Sequence, residues 1–282
     1  MRDKSTKTMQ RLRQISDMLI LNGTLTECPG LVHGKMGISI FFFHYARLTS
    51  NELFEEYAMD LIKEIQLQIH NNSAADFERG IAGIGIGMDY LIKNRFLEAD
   101  TDVFDDFDKR MYRAVMYDPF QDCSLYDGLT GYGYYWLMRF MSSKNAVECL
   151  LHIINYYKEQ LPFVSENELC DIYCLLHELC SVLNYDICHE LLDKYRKKIV
   201  GINLFFPYLG KSSVGNFVRM NKINYYLKDI ISDKKNKKFK YSAEINMKNT
   251  SANMGLLTGY AGEGLLYLTF FHNHNVSWIK LL

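Results

Sequence analysis

Two kinds of apolar segment alternate along the chain. Several stretches are apolar at nearly every position, and a helix that is apolar on all sides is a buried helix. Between them, apolar residues recur every three or four positions among charged ones, which predicts helices that bury one face. The clearest amphipathic stretch contains seven such residues: Phe54, Tyr57, Ala58, Leu61, Ile62, Ile65 and Ile69. The pattern therefore predicts a mostly helical chain in which inner and outer helices alternate.

A repeated glycine motif opens each clear inner stretch. The motif is G-x-x-G-x-G in the copies that begin at Gly80, Gly128 and Gly259, and a shorter copy spans Gly34 to Gly37. Adjacent copies are about 47 residues apart, so about six units fill the 282 residues. The longer interval after Gly128 leaves room for two units that lack the full motif.

Prolines and acidic residues predict the element boundaries. A proline stops a helix, and four prolines each fall between an outer helix and the inner helix that follows: Pro29, Pro119, Pro162 and Pro207. They predict a fourth inner helix near Cys170–Leu183 and a fifth after residues 210–215. Acids are favourable at a helix start, so Asp100-Thr101-Asp102 predicts the beginning of an outer helix.

Alternating helices of this kind either close into an α/α toroid or stack into an open solenoid. An open solenoid exposes one side of each inner helix, whereas these inner helices are apolar all round. We therefore predict a single all-α domain over residues 1–282, an α/α toroid of about six helical hairpin repeats. Its inner helices should begin near Gly37, Gly83, Gly131 and Gly262, where glycine allows close backbone approach and positive φ. Parallel inner helices would gather these starts at one end, the mouth of the ring.

Composition and charge exclude several classes of partner. The chain has 32 Lys and Arg against 33 Asp and Glu, so it lacks the positive field that nucleic acid binding requires. No apolar run approaches the roughly 20 residues that span a bilayer, and the charged start has no signal-peptide apolar block. These features predict a cytoplasmic protein without membrane insertion. The seven cysteines form no C-x-x-C pair, which argues against a disulfide framework.

The glycine segments resemble those of the lanthionine synthetase C-like proteins. The similarity is carried by Arg79–Gly85, Leu125–Gly133 and Gly255–Gly264, and it covers four units clearly. The resemblance implies an α/α toroid and, in the enzymes of that family, a zinc ion at the mouth. That zinc activates a peptide cysteine for addition to a dehydroamino acid. The resemblance also implies a partner, either a peptide substrate or a protein of peptide maturation or export.

The zinc ligands are where this chain departs from that family. Its cyclases use a cysteine of one glycine loop and a Cys-His pair before the glycine of another, because thiolate and imidazole suit zinc. Here the pairs before the glycines contain no cysteine: Val32-His33, Glu78-Arg79, Tyr126-Asp127 and Leu257-Thr258. The one Cys-His pair, Cys188-His189, precedes Glu190 and lies in a predicted amphipathic helix over residues 186–198. We therefore predict no metal and no cofactor, with zinc only if the family chemistry is retained.

Other cysteines are weaker candidates for metal ligands. Cys170, Cys174 and His177 share one face of a predicted helix, where packing is favoured because buried free cysteine is common. Cys28 precedes the first glycine loop, and with His33 it is a candidate ligand for a retained zinc, as is Cys123.

Polar residues beside the motif glycines form the candidate site. His33 is a candidate general acid or base, because histidine titrates near neutral pH. Asp127 is a second catalytic candidate, and a carboxylate there also stabilises a helix start. Four further residues are candidate binding groups at the same rim: Glu78, Arg79, Tyr126 and Lys211.

Three functional hypotheses follow, and the residues leave open whether the chain is an enzyme. The first is a lanthionine synthetase C-like toroid that binds a peptide or a maturation partner without zinc. The second is an active zinc-dependent cyclase whose ligands come from elsewhere. The third is a carbohydrate-active α/α barrel in which Glu78 and Asp127 are acid and base. Fold does not choose among them, since α/α toroids carry unrelated chemistries.

Overall fold

The computed structural model describes seven parts of the chain. They are residues 2–100, 103–119, 122–183, 185–200, 213–227, 253–272 and 276–282. Regular structure in these parts is helical throughout, without a strand, so the all-α class is confirmed. No helix among them is both long and apolar enough to cross a bilayer. Thr101, Asp102, Pro207 and Lys211 lie outside the described residues.

Eleven α-helices follow one another in the described parts of the chain. They are α1 (Arg2–Gly23), α2 (Lys35–Thr49), α3 (Glu52–Gln68), α4 (Ile81–Lys93), α5 (Asp105–Met116), α6 (Leu129–Met138), α7 (Ala146–Gln160), α8 (Glu166–Val182), α9 (Asp186–Ile199), α10 (Ser213–Tyr226) and α11 (Tyr260–His272). A short 3₁₀ helix, Val276–Leu281, follows them.

Six of these helices, namely α2, α4, α6, α8, α10 and α11, correspond to the stretches predicted to be inner helices, and they contact one another in series. Their contacts run from α2 to α4, α6, α8, α10 and α11 in turn, and α11 packs against α2. In α2, every residue from Lys35 to Ala46 is buried. Four large side chains that an open solenoid would expose are essentially inaccessible to solvent: Phe41, Phe42, Trp136 and Leu266. These side chains of α2, α6 and α11 are therefore buried, as the predominantly apolar stretches predict.

The other helices bury one face each, as the amphipathic pattern predicts. In α3 the buried residues are Ala58, Leu61, Ile62 and Ile65, and this helix packs against α2. Likewise α5 packs on α4 and α6, α7 on α6, and α9 on α8, while α1 packs on α11 and α2. Outer helices thus cover successive inner helices in chain order.

Helix starts follow local hydrogen bonding and differ slightly from the predictions. The inner helices with the motif begin two residues earlier than expected, at Lys35, Ile81, Leu129 and Tyr260. The first motif glycine is the residue before each helix, and the later glycines lie inside it. The fourth and fifth helices of this kind, α8 and α10, occupy the predicted regions but begin earlier, at Glu166 instead of near Cys170 and at Ser213 instead of after residue 215. The outer helix expected at Asp100 begins instead at Asp105.

The motif glycines serve close backbone approach. The expectation of positive φ is wrong for Gly34, Gly80 and Gly128, whose φ values are −123°, −100° and −116°, in extended backbone. In each loop the first helical N–H donates to the carbonyl seven residues upstream, as Ile81 does to Ala74 at 2.9 Å. A Cβ on the intervening glycine would collide with that carbonyl oxygen. Glycine is therefore required because the loop folds back onto its own backbone.

Replacement of Gly80 by alanine tests this requirement. The new Cβ would press on the Ala74 carbonyl and lie 2.8 Å from the Asp76 nitrogen. Both are backbone atoms, so we expect Gly80→Ala to lower the free energy of unfolding by at least about 2 kcal/mol.

Gly87→Ala is the matched control, because Gly87 lies inside the same helix. There a Cβ would press on the buried side chain of Met36, 2.5 Å from its Cγ, and it meets no backbone atom. We expect a smaller loss in urea denaturation than for Gly80→Ala, because a side chain can shift where the loop backbone cannot and alanine gains about 1 kcal/mol of helix propensity. Equal losses in the two variants would refute a special backbone role for Gly80.

Candidate functional site at the glycine-loop end

Four glycine loops lie side by side at one end of the inner helices. We define them as residues 28–34, 74–80, 122–128 and 253–259, each of which leads into an inner helix. Neighbouring loops are joined by backbone hydrogen bonds. The N–H of Leu256 donates to the Val32 carbonyl (2.8 Å), that of Val32 to Glu78 (3.2 Å), and that of Phe77 to Tyr126 (2.9 Å). The loops therefore form one continuous row.

The row depends on close contact between loop backbones. A Cβ at Gly30 would collide with the Cα of Arg79, and one at Gly255 would lie 2.5 Å from the Cα of His33. Within its own loop, the Asp76 carboxylate accepts hydrogen bonds from the N–H of Arg79 at 2.7 Å and that of Gly80 at 3.2 Å. These contacts determine where the side chains of the row lie.

Asp171 takes the place of a fifth loop at the end of the row. The fourth inner helix, α8, has no glycine loop, and its Asp171 side chain accepts the N–H of Leu125 at 3.0 Å. Glu168 of the same helix accepts the N–H of Cys123 at 2.8 Å. Asp171 thus accepts the N–H whose equivalents, at Phe77 and Leu256, donate to a neighbouring loop, and Glu168 adds a second bond to the same loop.

Four sequence-predicted residues lie at the exposed surface of this row. His33, Arg79 and Asp127 are at the same position of their loops, directly before the first motif glycine, where the last loop has Thr258. Glu78 joins two of them, because its Oε1 lies 3.3 Å from His33 Nε2 and 3.1 Å from Arg79 Nε. We call His33, Glu78, Arg79 and Asp127 the rim cluster.

Burial and neighbouring charges shift the titration of the rim cluster. Burial lowers the pKa of His33; the Glu78 carboxylate opposes this shift, and Arg79 adds to it. Burial raises the pKa of Asp127, as do the nearby carboxylates of Glu78 and Asp76. His33 therefore favours its neutral form, while Arg79 is 69% exposed and remains charged.

The other two predicted binding residues are not part of this surface. Tyr126 is 3% exposed, and its hydroxyl donates to the backbone carbonyl of Leu282 at 3.3 Å. Its expected place on the rim is corrected, because the aromatic ring packs inward against Phe77. Lys211 lies outside the described residues.

The rim does not fit the zinc site that the resemblance implies. Among the described residues, no three His, Cys, Asp or Glu side chains converge in a way that would hold a metal ion. The seven cysteines are free thiols, and burial raises the pKa of each of them. The implied cyclase site uses thiolate and imidazole ligands, and of these the rim cluster supplies only the imidazole of His33. We therefore derive no chemistry through zinc.

The remaining cysteine candidates lie in the packed interior. Cys170 and Cys174 are buried in α8, and the ring of His177 packs against Tyr226 with centroids 5.3 Å apart. Cys188 is buried on the inner face of α9. Their burial agrees with the interpretation that these cysteines serve packing.

Comparison with known proteins gives no family assignment. No protein-family model matches the chain, and no curated protein matches it. The interpretation of the site therefore rests on its geometry.

Sequence reasoning missed Asp171, whose burial has a measurable consequence for stability. Burial raises its pKa from the ordinary 3.8 to about 6, an effect that Lys222 partly offsets. Because the pKa is higher in the folded state, this group stabilises the fold fully below about pH 4, and that stabilisation is lost as the pH rises through about 6. Asp171→Asn keeps an oxygen for the Leu125 N–H without the charge.

We expect the stability of Asp171→Asn, relative to the parent, to rise by up to about 3 kcal/mol between pH 4 and pH 8. Urea denaturation at pH 4, 6 and 8 measures it. Asp106→Asn is the control, because Asp106 is 80% exposed on α5. A difference between Asp171→Asn and the parent that is constant over this range would contradict the burial argument.

Proposed function

We propose that the chain is a lanthionine synthetase C-like α/α toroid of about six helical hairpins. In this proposal it binds a peptide, or a protein of peptide maturation or export, at the glycine-loop end without zinc. The contacts among the inner helices support the toroid, since they lead from α2 through α11 and back to α2. The row of four glycine loops supports a shared end at which the inner helices begin.

The observation that carries the binding role is the rim cluster. It places a constant positive charge, Arg79, beside a carboxylate and a neutral imidazole on a surface made by adjacent loops. Among the described residues, the two Nη groups of Arg79 make no hydrogen bond, while its Nε binds Glu78. A guanidinium presented in this way can bind a peptide carboxylate through two parallel hydrogen bonds.

The rim favours binding over the two catalytic alternatives. A cyclase of the implied type needs an activated thiolate, and the cysteine nearest the rim, Cys28, has its pKa raised by burial. A carbohydrate-active site needs a carboxylate pair flanking the sugar. Here the Glu78 carboxylate is engaged by both His33 and Arg79.

Metal analysis separates the proposal from an active cyclase. We expect protein purified without chelator to contain less than about 0.1 equivalent of zinc, because a tight site needs at least three converging ligands. Elemental analysis measures the content. One equivalent of zinc that is lost in His33→Ala or Cys28→Ala would overturn this expectation and favour the cyclase.

Peptide titration tests the binding role. The probes are synthetic peptides encoded by genes next to this one, titrated by calorimetry against the full chain. We expect Arg79→Ala to weaken binding about tenfold, because a charge-assisted hydrogen bond to the ligand is lost. The far-UV circular dichroism spectrum should be unchanged, since Arg79 is largely exposed.

Lys93→Ala is the matched control, because Lys93 ends the same helix, α4, that Arg79 precedes. It removes one exposed positive charge at the opposite end of that helix. Equal weakening in the two variants would indicate a general charge effect. Unchanged affinity in Arg79→Ala would place the binding surface elsewhere.

A further inference from the structure

Arg79 and Asp127 present opposite charges on neighbouring glycine loops. Each is the residue directly before the first motif glycine of its loop. The two loops are joined by backbone hydrogen bonds, in which the N–H groups of Phe77 and Glu78 both donate to the Tyr126 carbonyl, at 2.9 and 3.1 Å. Arg79 and Asp127 come directly after the bonded residues, so these bonds fix their backbones next to each other.

Neither of these two charges is neutralised by the other. The Arg79 guanidinium binds Glu78 through Nε at 3.1 Å, which leaves both Nη groups without a hydrogen bond among the described residues. Asp127 is exposed, and within the described parts of the chain its carboxylate makes no hydrogen bond and no ion pair. Both groups therefore keep their hydrogen-bonding capacity for a ligand or for water.

Nearby carboxylates make the Asp127 side of this pair negative. The Asp76 carboxylate is held by the N–H groups of Arg79 and Gly80, and that of Asp122 by the N–H of Ser124 at 2.8 Å. Burial raises the pKa of Asp127, and the carboxylates of Glu78, Asp76 and Asp122 raise it further. A cationic group beside Asp127 would offset this repulsion, because an opposite charge favours the ionised carboxylate.

The rest of the row of loops carries no comparable charge. His33, on the other side of Arg79, favours its neutral form, and the loop over residues 253–259 contains no charged residue. The charge of the row therefore changes from positive to negative across a single loop boundary, between Arg79 and Asp127.

An extended peptide that crosses these two loops can match both charges. Side chains two positions apart in an extended chain point to the same face, about 7 Å from each other. Hydrogen-bonded backbones lie about 5 Å apart, and the long arginine side chain can span the difference. Adjacent side chains of an extended chain point to opposite faces, so they cannot meet both groups at once.

We propose that the rim selects peptides that carry an acidic and a basic side chain two residues apart, with Arg79 binding the acidic group and Asp127 the basic one. This inference rests on the peptide binding at the rim proposed above. The Arg79 guanidinium donates hydrogen bonds to the ligand carboxylate, and the Asp127 carboxylate accepts them from the ligand cation. Asp127 is then a specificity-determining residue and not a catalytic one.

Two capped synthetic peptides of equal composition and zero net charge test the spacing. The first is Gly-Ser-Glu-Ser-Lys-Ser-Gly, and the second is Gly-Ser-Ser-Glu-Lys-Ser-Gly. Binding to the isotope-labelled full chain is followed through the NMR amide shifts of Arg79 and Asp127, which detect weak complexes. We expect the first peptide to bind about threefold to tenfold more tightly, because two exposed charge contacts each contribute modestly.

Substitutions on both partners then assign the two contacts. Asp127→Asn should weaken binding of the first peptide about threefold, and it should leave unchanged the binding of a peptide with glutamine in place of lysine. Arg79→Gln should show the opposite dependence, on the glutamate of the peptide alone. Asp106→Asn, which removes an exposed carboxylate of α5, is the control and should bind each peptide like the parent.

Three results would overturn the inference. They are equal affinity for the two spacings, no detectable binding of the first peptide, and a loss in Asp127→Asn that is the same with and without the lysine of the peptide. Peptide binding at the rim is judged separately, by the titration of Arg79→Ala with the gene-encoded peptides. Arg79-dependent binding there without any dependence on Asp127 would support the proposed function and refute only the charge pattern.

Discussion

The backbone hydrogen bonds between neighbouring glycine loops are the interaction on which the arrangement of the site depends. Val32 shows the constraint, because its carbonyl accepts from one loop while its N–H donates to the next. Both bonds require loop backbones in direct contact, and a Cβ at Gly30 or Gly255 would push them apart. Separated loops would also separate His33 from Glu78. The positions of the charged side chains at the rim therefore depend on hydrogen bonds between uncharged backbone groups.

Where the repeat lacks its glycine motif, at α8, a side chain replaces the loop backbone as the hydrogen-bond acceptor. At α8 a carboxylate replaces a backbone carbonyl as the acceptor for the Leu125 N–H. A carbonyl accepts this bond without carrying a charge, whereas a buried carboxylate must be desolvated when it ionises. The degraded unit thus preserves the connection but makes it sensitive to pH. The bonds between the glycine loops have no such dependence.

Local patterns predicted the helices, and long-range contacts set the limits of that prediction. Apolar periodicity and the glycine motif predict the two kinds of helix, because the residues that form a buried helix face lie three or four positions apart in the sequence. The predicted helix starts lie two residues too late, because each helix begins directly after the first motif glycine and not at the second. Tyr126 was placed at the rim because nothing beside it in sequence shows that its ring packs inward. Asp171 was missed because its partner, Leu125, is 46 residues away.

Tyr126 connects the rim to the buried segment 276–282 through two different groups. Its backbone carbonyl accepts the N–H groups of Phe77 and Glu78, which hold the loop of the rim cluster. Its side-chain hydroxyl donates inward to Leu282. One residue therefore links the loop backbone at the rim to the packed segment 276–282, through its carbonyl on one side and its hydroxyl on the other.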